Sequence, residues 1–278
     1  MREIREIDII NEVARLCAEA NIYINEEIRN KLCRSLEEAS GAERFVLEAL
    51  TANAEAAAKE RLPLCQDTGM AVVFAEVGQD VHVLANLTEA INKGVKKGYE
   101  EAFLRKSVVS DPIRRENTGT NTPAVIHYDI VSGDALKITV APKGFGSENM
   151  SAVKMLTPSQ GLSGVTDFIV QTVKAAGANP CPPIIAGVGV GGTMELAALM
   201  AKKALLRELS EHNPDPFWAD VEADVLTRLN ALNIGAGGFS GKLTALAVHI
   251  NTLPTHIAGL PVAVNIGCHA TRHKSVIL

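Results

Sequence analysis

Ile184-Ile-Ala-Gly-Val-Gly-Val-Gly-Gly-Thr193, followed by Met194-Glu-Leu-Ala-Ala-Leu-Met-Ala-Lys-Lys-Ala-Leu-Leu-Arg-Glu-Leu209, is the stretch on which the fold turns. The short apolar run bounded by glycines reads as a buried strand over Ile184–Val190. The Ala-, Leu- and Lys-rich run after it reads as a strong helix over Met194–Leu209. Gly187, Gly189 and Gly192 also fit G-x-G-x-x-G between a strand and a helix, the spacing of a dinucleotide fingerprint. That fingerprint needs a second strand ending in an acidic residue about 20 residues further on. Here that region is Ser210-Glu-His-Asn-Pro-Asp-Pro216, a polar loop broken by proline. The simpler reading is a tight turn whose free N–H groups at Gly191 to Glu195 can receive a carboxylate. A nucleotide-binding oxidoreductase using Gly187, Gly189 and Gly192 is kept as the alternative of a different class.

Met70–Val77, Thr244–Ile250 and Pro261–Ile266 also read as strands. Ala124–Val131 and Leu136–Ala141 read as a β-hairpin around Ser132-Gly-Asp134. The first sixty residues are helical by pattern, with Ile9, Ile10, Val13, Leu16 and Ala20 at helical spacing. Further helices are expected over Leu87–Phe103, over Thr157–Ala176 with Gly177 as its cap, and over Phe217–Leu232. Gly235 to Gly241 reads as a loop. The fold class is mixed α/β: a helical N-terminal region plus small mixed sheets with surrounding helices. One domain over residues 1–278 is expected, with no repeat or linker and with the sheet order open.

Hydrophobic residues make up 47% of the chain and aromatics only 4%, so Ala, Val, Ile, Leu and Gly must fill the core. A net charge of −5 gives no electrostatic reason to expect nucleic acid or an acidic membrane as partner. The opening MREIREIDII has no apolar signal region, and no stretch is apolar and long enough to span a bilayer. A soluble cytoplasmic protein is expected.

The five cysteines include no C-x-x-C pair, and their odd number without a signal peptide argues against a disulfide framework. Cys17 and Cys33 fall in helices and read as small buried hydrophobes. Cys65, Cys181 and Cys268 each stand at a turn or strand end beside backbone breakers: Pro63-Leu-Cys-Gln-Asp-Thr-Gly69, Asn179-Pro-Cys-Pro-Pro183 and Ile266-Gly-Cys-His269. By local context they are core residues, reactive thiols or metal ligands; as ligands, three thiolates would hold three corners of a cubane and leave the fourth iron open. Among the histidines, His127 and His249 read as structural, and His82, His212 and His273 as exposed. His256 and His269 sit in loops close in sequence to Cys268. The segments RRENTGTNTP (114–123) and PKGFGSENMS (142–151) lack P-loop spacing but offer Arg, Lys, Asn and glycine N–H groups, which suit a small dicarboxylate as well as ordinary turns.

Taken together, LCQDTG, RENTGTNTP, PKGFGSEN, ANPCPP with IIAGVGVGGT, GGFSGK and LPTHIAGLPVAVNIGCHATRHK resemble, in order and over nearly the whole chain, the N-terminal catalytic region of the iron–sulfur (class I) fumarases. They equally resemble the α subunit of L-tartrate dehydratase. The resemblance implies that Cys65, Cys181 and Cys268 ligate a 4Fe–4S cluster whose unique iron binds substrate. It implies that Gln66, Asp67, Arg105 and His256 stand near a C4 dicarboxylate, with Asp67 or His256 managing a proton. The family's glycine loop falls on Gly144 to Gly146, with Gly146 taken as the substrate-binding position. The implied reaction is the reversible, oxygen-sensitive hydration of fumarate to L-malate, as in the TCA cycle, with L-tartrate dehydration as the alternative. Single-chain members continue into a second catalytic half. The length of this chain therefore resembles the two-subunit arrangement, a hetero-oligomer in which a β subunit carries that half and the carbon base.

Overall fold

The structure, a computed structural model, describes residues 2–278. In chain order the elements are β1 (Arg2–Ile4), α1 (Glu6–Ile22), α2 (Glu26–Glu38), α3 (Gly41–Glu60), β2 (Met70–Gly78), β3 (Val81–Val83), α4 (Leu87–Glu101), β4 (Val125–Val131) and β5 (Leu136–Lys143). Then follow α5 (Phe145–Glu148), β6 (Ala152–Leu156), α6 (Gly161–Ala176), β7 (Ile184–Gly192), α7 (Met194–Ala204), α8 (Pro216–Asn230), β8 (Ala245–Thr255), β9 (Leu260–Gly267) and β10 (Lys274–Ile277). Among the described residues the strands form three small sheets, in the orders β1-β3, β10-β5-β2-β4 and β6-β9-β7-β8, so the fold is mixed α/β. Two compact units divide the chain: Met1–Ile24 with Ala54–Phe145 and Arg272–Leu278, and Asn25–Asn53 with Gly146–Thr271. No helix among the described residues is long and apolar enough to cross a membrane.

In the first unit the helical spacing of Ile9, Val13, Leu16 and Cys17 puts all four on the buried face of α1. Helix α4 lies against that face at close range because Gly94 and Gly98 carry no side chain: a Cβ on either would come within 2.6 Å of Val13 Cβ or of the Ala14 carbonyl oxygen. Ile91, Val95 and Tyr99 complete the core with Ala71 and Val73 of β2 and Leu136, Ile138 and Val140 of β5. The expected hairpin of residues 124–141 does not form. β4 runs parallel to β2 and β5 antiparallel to it, so the two flank β2 instead of pairing with each other. The turn after β2 wedges their ends apart, Gly78 N donating to Ala135 O and Gln79 N to Val131 O, each at 2.9 Å. Alternating residues state that a segment is a strand but not which strand is its neighbour.

In the second unit β7 is central, parallel to β8 and antiparallel to β9. Val188 and Val190 join Val248, Ile250, Val262 and Val264 in a core that includes Val165 and Ile169 of α6 and Val225 and Leu229 of α8. The other face of β7 is Gly187 and Gly189, and α7 lies directly on it. A Cβ at Gly187 would stand 2.2 Å from Ala201 O, and one at Gly189 would stand 2.0 Å from Ala197 O. The glycines are therefore strand residues that admit a helix backbone, not a phosphate loop, and the nucleotide reading loses its site. The proline-broken segment serves the same unit. Asp215 caps α8 by accepting from Phe217 N at 3.0 Å, and Asn213 Nδ2 donates to Ile250 O at 2.7 Å. Gly189→Ala should lower stability by about 2 kcal/mol or more, because α7 must lift off the strand. A shift in the urea midpoint of the intact chain measures it; a midpoint within error of the wild type would show that the helix does not need this approach.

Candidate functional site

In the first unit the site residues ride on the loop between α3 and β2. Gly69, at φ +71°, has Lys143 C and O where a Cβ would be, 2.5 Å away, so only glycine closes the Gln66-Asp-Thr-Gly turn. The Asp67 carboxylate is engaged on both oxygens: Oδ1 accepts from Gly69 N at 3.0 Å and Oδ2 from Phe145 N at 2.8 Å. Gly144 leaves room for it, since a Cβ there would be 3.1 Å from Oδ2. Asp67 N in turn donates to Cys65 Sγ at 3.4 Å. Thr68, buried, passes its hydroxyl hydrogen to Arg105 O at 2.8 Å, tying this turn to the segment that carries the exposed Arg105 side chain. Cys65, Gln66, Asp67, Arg105 and Gly144 thus share one neighbourhood, with Asp67 as an acceptor on both oxygens.

In the second unit strand register decides which motifs meet. Ile185 faces Gly267 across the antiparallel pair β7–β9, so the start of β7 and the end of β9 lie side by side. Ile184 faces Ala245 across the parallel pair β7–β8, which brings the loop before β8 to the same end. Cys181 and Cys268 precede and follow those strand ends. Cys181 O accepts from His269 N at 3.3 Å, and His269 Nδ1 faces the same oxygen at 3.1 Å. Pro182 O accepts from Gly237 N at 2.8 Å. Gly238 packs where a Cβ would be 2.3 Å from Ala178 Cβ. Glu43 holds the rest of that glycine loop, accepting from Lys242 N at 3.1 Å and Leu243 N at 2.8 Å, and a Cβ on Gly241 would collide with its carboxylate. Gly146 belongs to this end too: the nearest atom to a Cβ there is Asn179 O at 3.7 Å.

His256 is not brought there. It sits exposed in the turn between β8 and β9, with the eight residues of β9 separating it from Cys268; at the usual strand rise that is about 25 Å. Its Nδ1 accepts from Ala258 N at 3.2 Å, which leaves the proton of the neutral ring on Nε2. It borders an apolar groove of about 410 Å³ that includes Leu162, Val190, Phe217, Trp218 and Ile257. The start of α7 lies at this end as well, and Thr193 Oγ1 donates there to Glu195 Oε1 at 2.6 Å. Thr193 and a backbone N–H of the helix hold the Glu195 carboxyl below the usual carboxylate range, so the helix end is met by its own acid and is a poor place for a substrate carboxylate.

The remaining cysteines and histidines sort by burial. Cys17 is buried, and burial pushes its thiol up to about 12, which makes it a poor ligand. Cys33, expected to be buried, is exposed on α2. His127 stacks on Phe74 with ring centroids 5.2 Å apart, and His249 is buried with Nδ1 3.1 Å from Ala204 O, both structural as read. His82 and His212 are exposed as read, but His273 is half-buried. Burial, and then the charge of Lys274, push the His273 ring down to about 4. Among the described residues no three His, Cys, Asp or Glu side chains gather as a single-ion site. The corner thiolates of a cubane, each on a different iron, stand farther apart than the ligands of one ion. Soft thiols that are at least partly exposed and in no disulfide, Cys65 in one unit and Cys181 and Cys268 on adjoining loops of the other, are the donor chemistry such a cluster takes.

The family model described as fumarate hydratase (Fumerase) matches residues 10–277. A protein of Methanocaldococcus jannaschii named "Putative L(+)-tartrate dehydratase subunit alpha" is 42% identical over 272 residues, covering 95% of each chain. The L(+)-tartrate dehydratase subunit alpha of Escherichia coli (strain K12) is 29% identical over 286 residues, covering 100% of this chain and 94% of the relative. Hydratases and dehydratases add or remove water at carbon, so the class is that of hydro-lyase enzymes. The chain belongs to the fumarate hydratase (Fumerase) family.

The depressed His273 ring has a consequence for stability. The folded chain resists protonation at His273 while the unfolded chain takes the proton near 6.5, so this contribution is complete above 6.5 and is lost as pH falls toward 4. Urea midpoints at pH 7 and pH 5 should therefore differ less in His273→Gln than in the wild type. An equal difference in both would place the acid sensitivity elsewhere.

Proposed function

We propose that this chain is the α subunit of a two-subunit iron–sulfur hydro-lyase, acting in the cytoplasm, that interconverts fumarate and L-malate. In this reading Cys65, Cys181 and Cys268 hold a 4Fe–4S cluster. The observation that carries it is the meeting of the Cys181 and Cys268 loops through the Cys181 carbonyl and His269, inside the region matched by the family model. When bound, the cluster supplies a Lewis-acid iron with an open position, which the hydroxyl of a C4 hydroxy acid needs because hydroxide leaves poorly near neutral pH. Around it, Arg105 takes one substrate carboxylate in its planar fork. Gln66 and the Gly146 backbone add hydrogen bonds. Asp67 takes up or returns a proton by exchanging one of its two backbone N–H partners for substrate. His256 sits at the far end of its own sheet, so a share in this site requires a second chain to carry it there. The partner is a β subunit that completes the carboxylate clamp and supplies the carbon base. The "subunit alpha" names of the relatives support it.

Those same names favour a second reading, L-tartrate as the substrate, which asks the same chemistry of the same residues with one more hydroxyl to place. An anaerobic assay of the reconstituted complex with fumarate, L-malate and L-tartrate decides between them, and no turnover of any C4 hydroxy acid would overturn both.

Single Cys→Ser changes at Cys65, Cys181 or Cys268 should abolish or badly deplete bound iron, whereas Cys17→Ser and Cys33→Ser should leave it. Full iron content in Cys181→Ser would remove that residue from the ligand set. In the complex, Arg105→Ala should raise KM by about 10- to 100-fold with a smaller change in kcat, because a uniformly used carboxylate contact is lost. Steady-state kinetics with an unchanged KM would assign the clamp to another residue.

A further inference from the structure

Three consecutive peptide carbonyls of the Cys65 turn are held by side chains from three separate segments of the first unit. Arg272 Nη2 donates to Asp67 O at 2.7 Å. The Tyr99 hydroxyl donates to Thr68 O at 2.8 Å and also lies 3.1 Å from Gly69 O. Asn121 Nδ2 donates to Gly69 O at 3.1 Å, while its Oδ1 accepts from Ser107 N at 2.7 Å. Tyr99 and Asn121 are 0% exposed and Arg272 is 4% exposed. Burying a guanidinium is costly, and one that lends a donor to a loop carbonyl holds that peptide plane with a charge-assisted bond.

Fixing the Asp67, Thr68 and Gly69 carbonyls leaves the turn little freedom to rotate. The Asp67 carboxylate closes the other side on Gly69 N and Phe145 N. What remains aimed at Cys65 Sγ is Asp67 N–H, at 3.4 Å. We propose that Arg272, seconded by Tyr99, is a positioning residue that sets the Cys65–Asp67 turn and keeps the Asp67 N–H on the Cys65 sulfur. Hydrogen bonds to the sulfurs are among the levers on a cluster's potential: a donor to a ligand sulfur withdraws charge from it and makes the reduced state easier to reach. The effect on a cluster rests on the reading of Cys65 as a ligand; the effect on the turn does not.

The test uses the full-length chain in two states. Without iron, hydrogen exchange at the Asp67 and Gly69 amides should quicken by about 10-fold or more in Arg272→Met, the size expected for one hydrogen bond from a charged group. Arg272→Lys, which keeps a cationic donor, should stay near the wild type, and segments around Cys181 and Cys268 should not change. If Arg272→Met does not fold, Tyr99→Phe, which removes only a hydroxyl, should show the same localised quickening. After anaerobic reconstitution, the midpoint potential should move to more negative values in Arg272→Met and return in Arg272→Lys. Unchanged exchange at Asp67 and Gly69 in every variant that folds would overturn the proposal. So would quickening spread evenly over the chain that lysine does not rescue. A chain that gives the localised exchange result but takes up no iron upholds the positioning and overturns the reading of a bound cluster.

Discussion

The contact of α7 with the bare face of β7 is the constraint on which the second unit depends. Helices usually stand off a sheet by the thickness of two layers of side chains, and here one layer is missing. Gly187 and Gly189 leave the Ala197 and Ala201 carbonyls at distances no Cβ tolerates. The small residues Ala197, Ala201 and Ala263 line the same seam. Close approach lets many weak dispersion contacts accumulate along two backbones, and it sets the position of α7 over the strand with little latitude. The opposite face of β7 then has to supply the conventional core, which Val188 and Val190 do.

From that central strand the functional end follows by register alone. β9 runs back along β7 and β8 runs forward along it, so three loops distant in sequence arrive at one edge. Nothing local in Asn179-Pro-Cys-Pro-Pro183 or Gly267-Cys-His269 specifies this meeting. Two of the hydrogen bonds that finish it are backbone bonds and therefore insensitive to side-chain identity: His269 N to Cys181 O and Gly237 N to Pro182 O. Glu43, from the N-terminal helical region, fills the hollow left by Gly241. The same register carries His256 and the start of α7 to the opposite edge. Nearness in sequence between His256 and Cys268 is undone by the one strand between them.

The first unit solves a different problem, that of holding a polar turn rigid next to an apolar core. Its answer is a donor for each acceptor of the Asp67–Gly69 stretch. The Asp67 carboxylate and the three carbonyls that follow each have a partner, and those partners are themselves buried or on the backbone. A half-satisfied version would leave buried carbonyls without a donor at a cost of about 1–3 kcal/mol each, so the three carbonyl contacts are expected to be lost or kept together.

The sequence by itself determined the long helices, the six longer strands and the candidate residues, because all are local, while the short strands β1, β3, β6 and β10 carry too little pattern to be read. Helical spacing in α1, the Pro and Gly stops, the Gly177 cap and the breaker-flanked cysteines are all read from neighbours within a few positions. Tertiary structure alone decided three things. It put β2 between β4 and β5, because strand pairing is non-local and period-two patterning is blind to it. It turned a nucleotide-like glycine run into a helix seat, because steric contact with α7 is invisible in G-x-G-x-x-G. And it recruited Tyr99, Asn121 and Arg272 to the Cys65 turn. Their side chains reach that turn from segments far along the chain, and a donor's acceptor is defined by the fold and not by spacing.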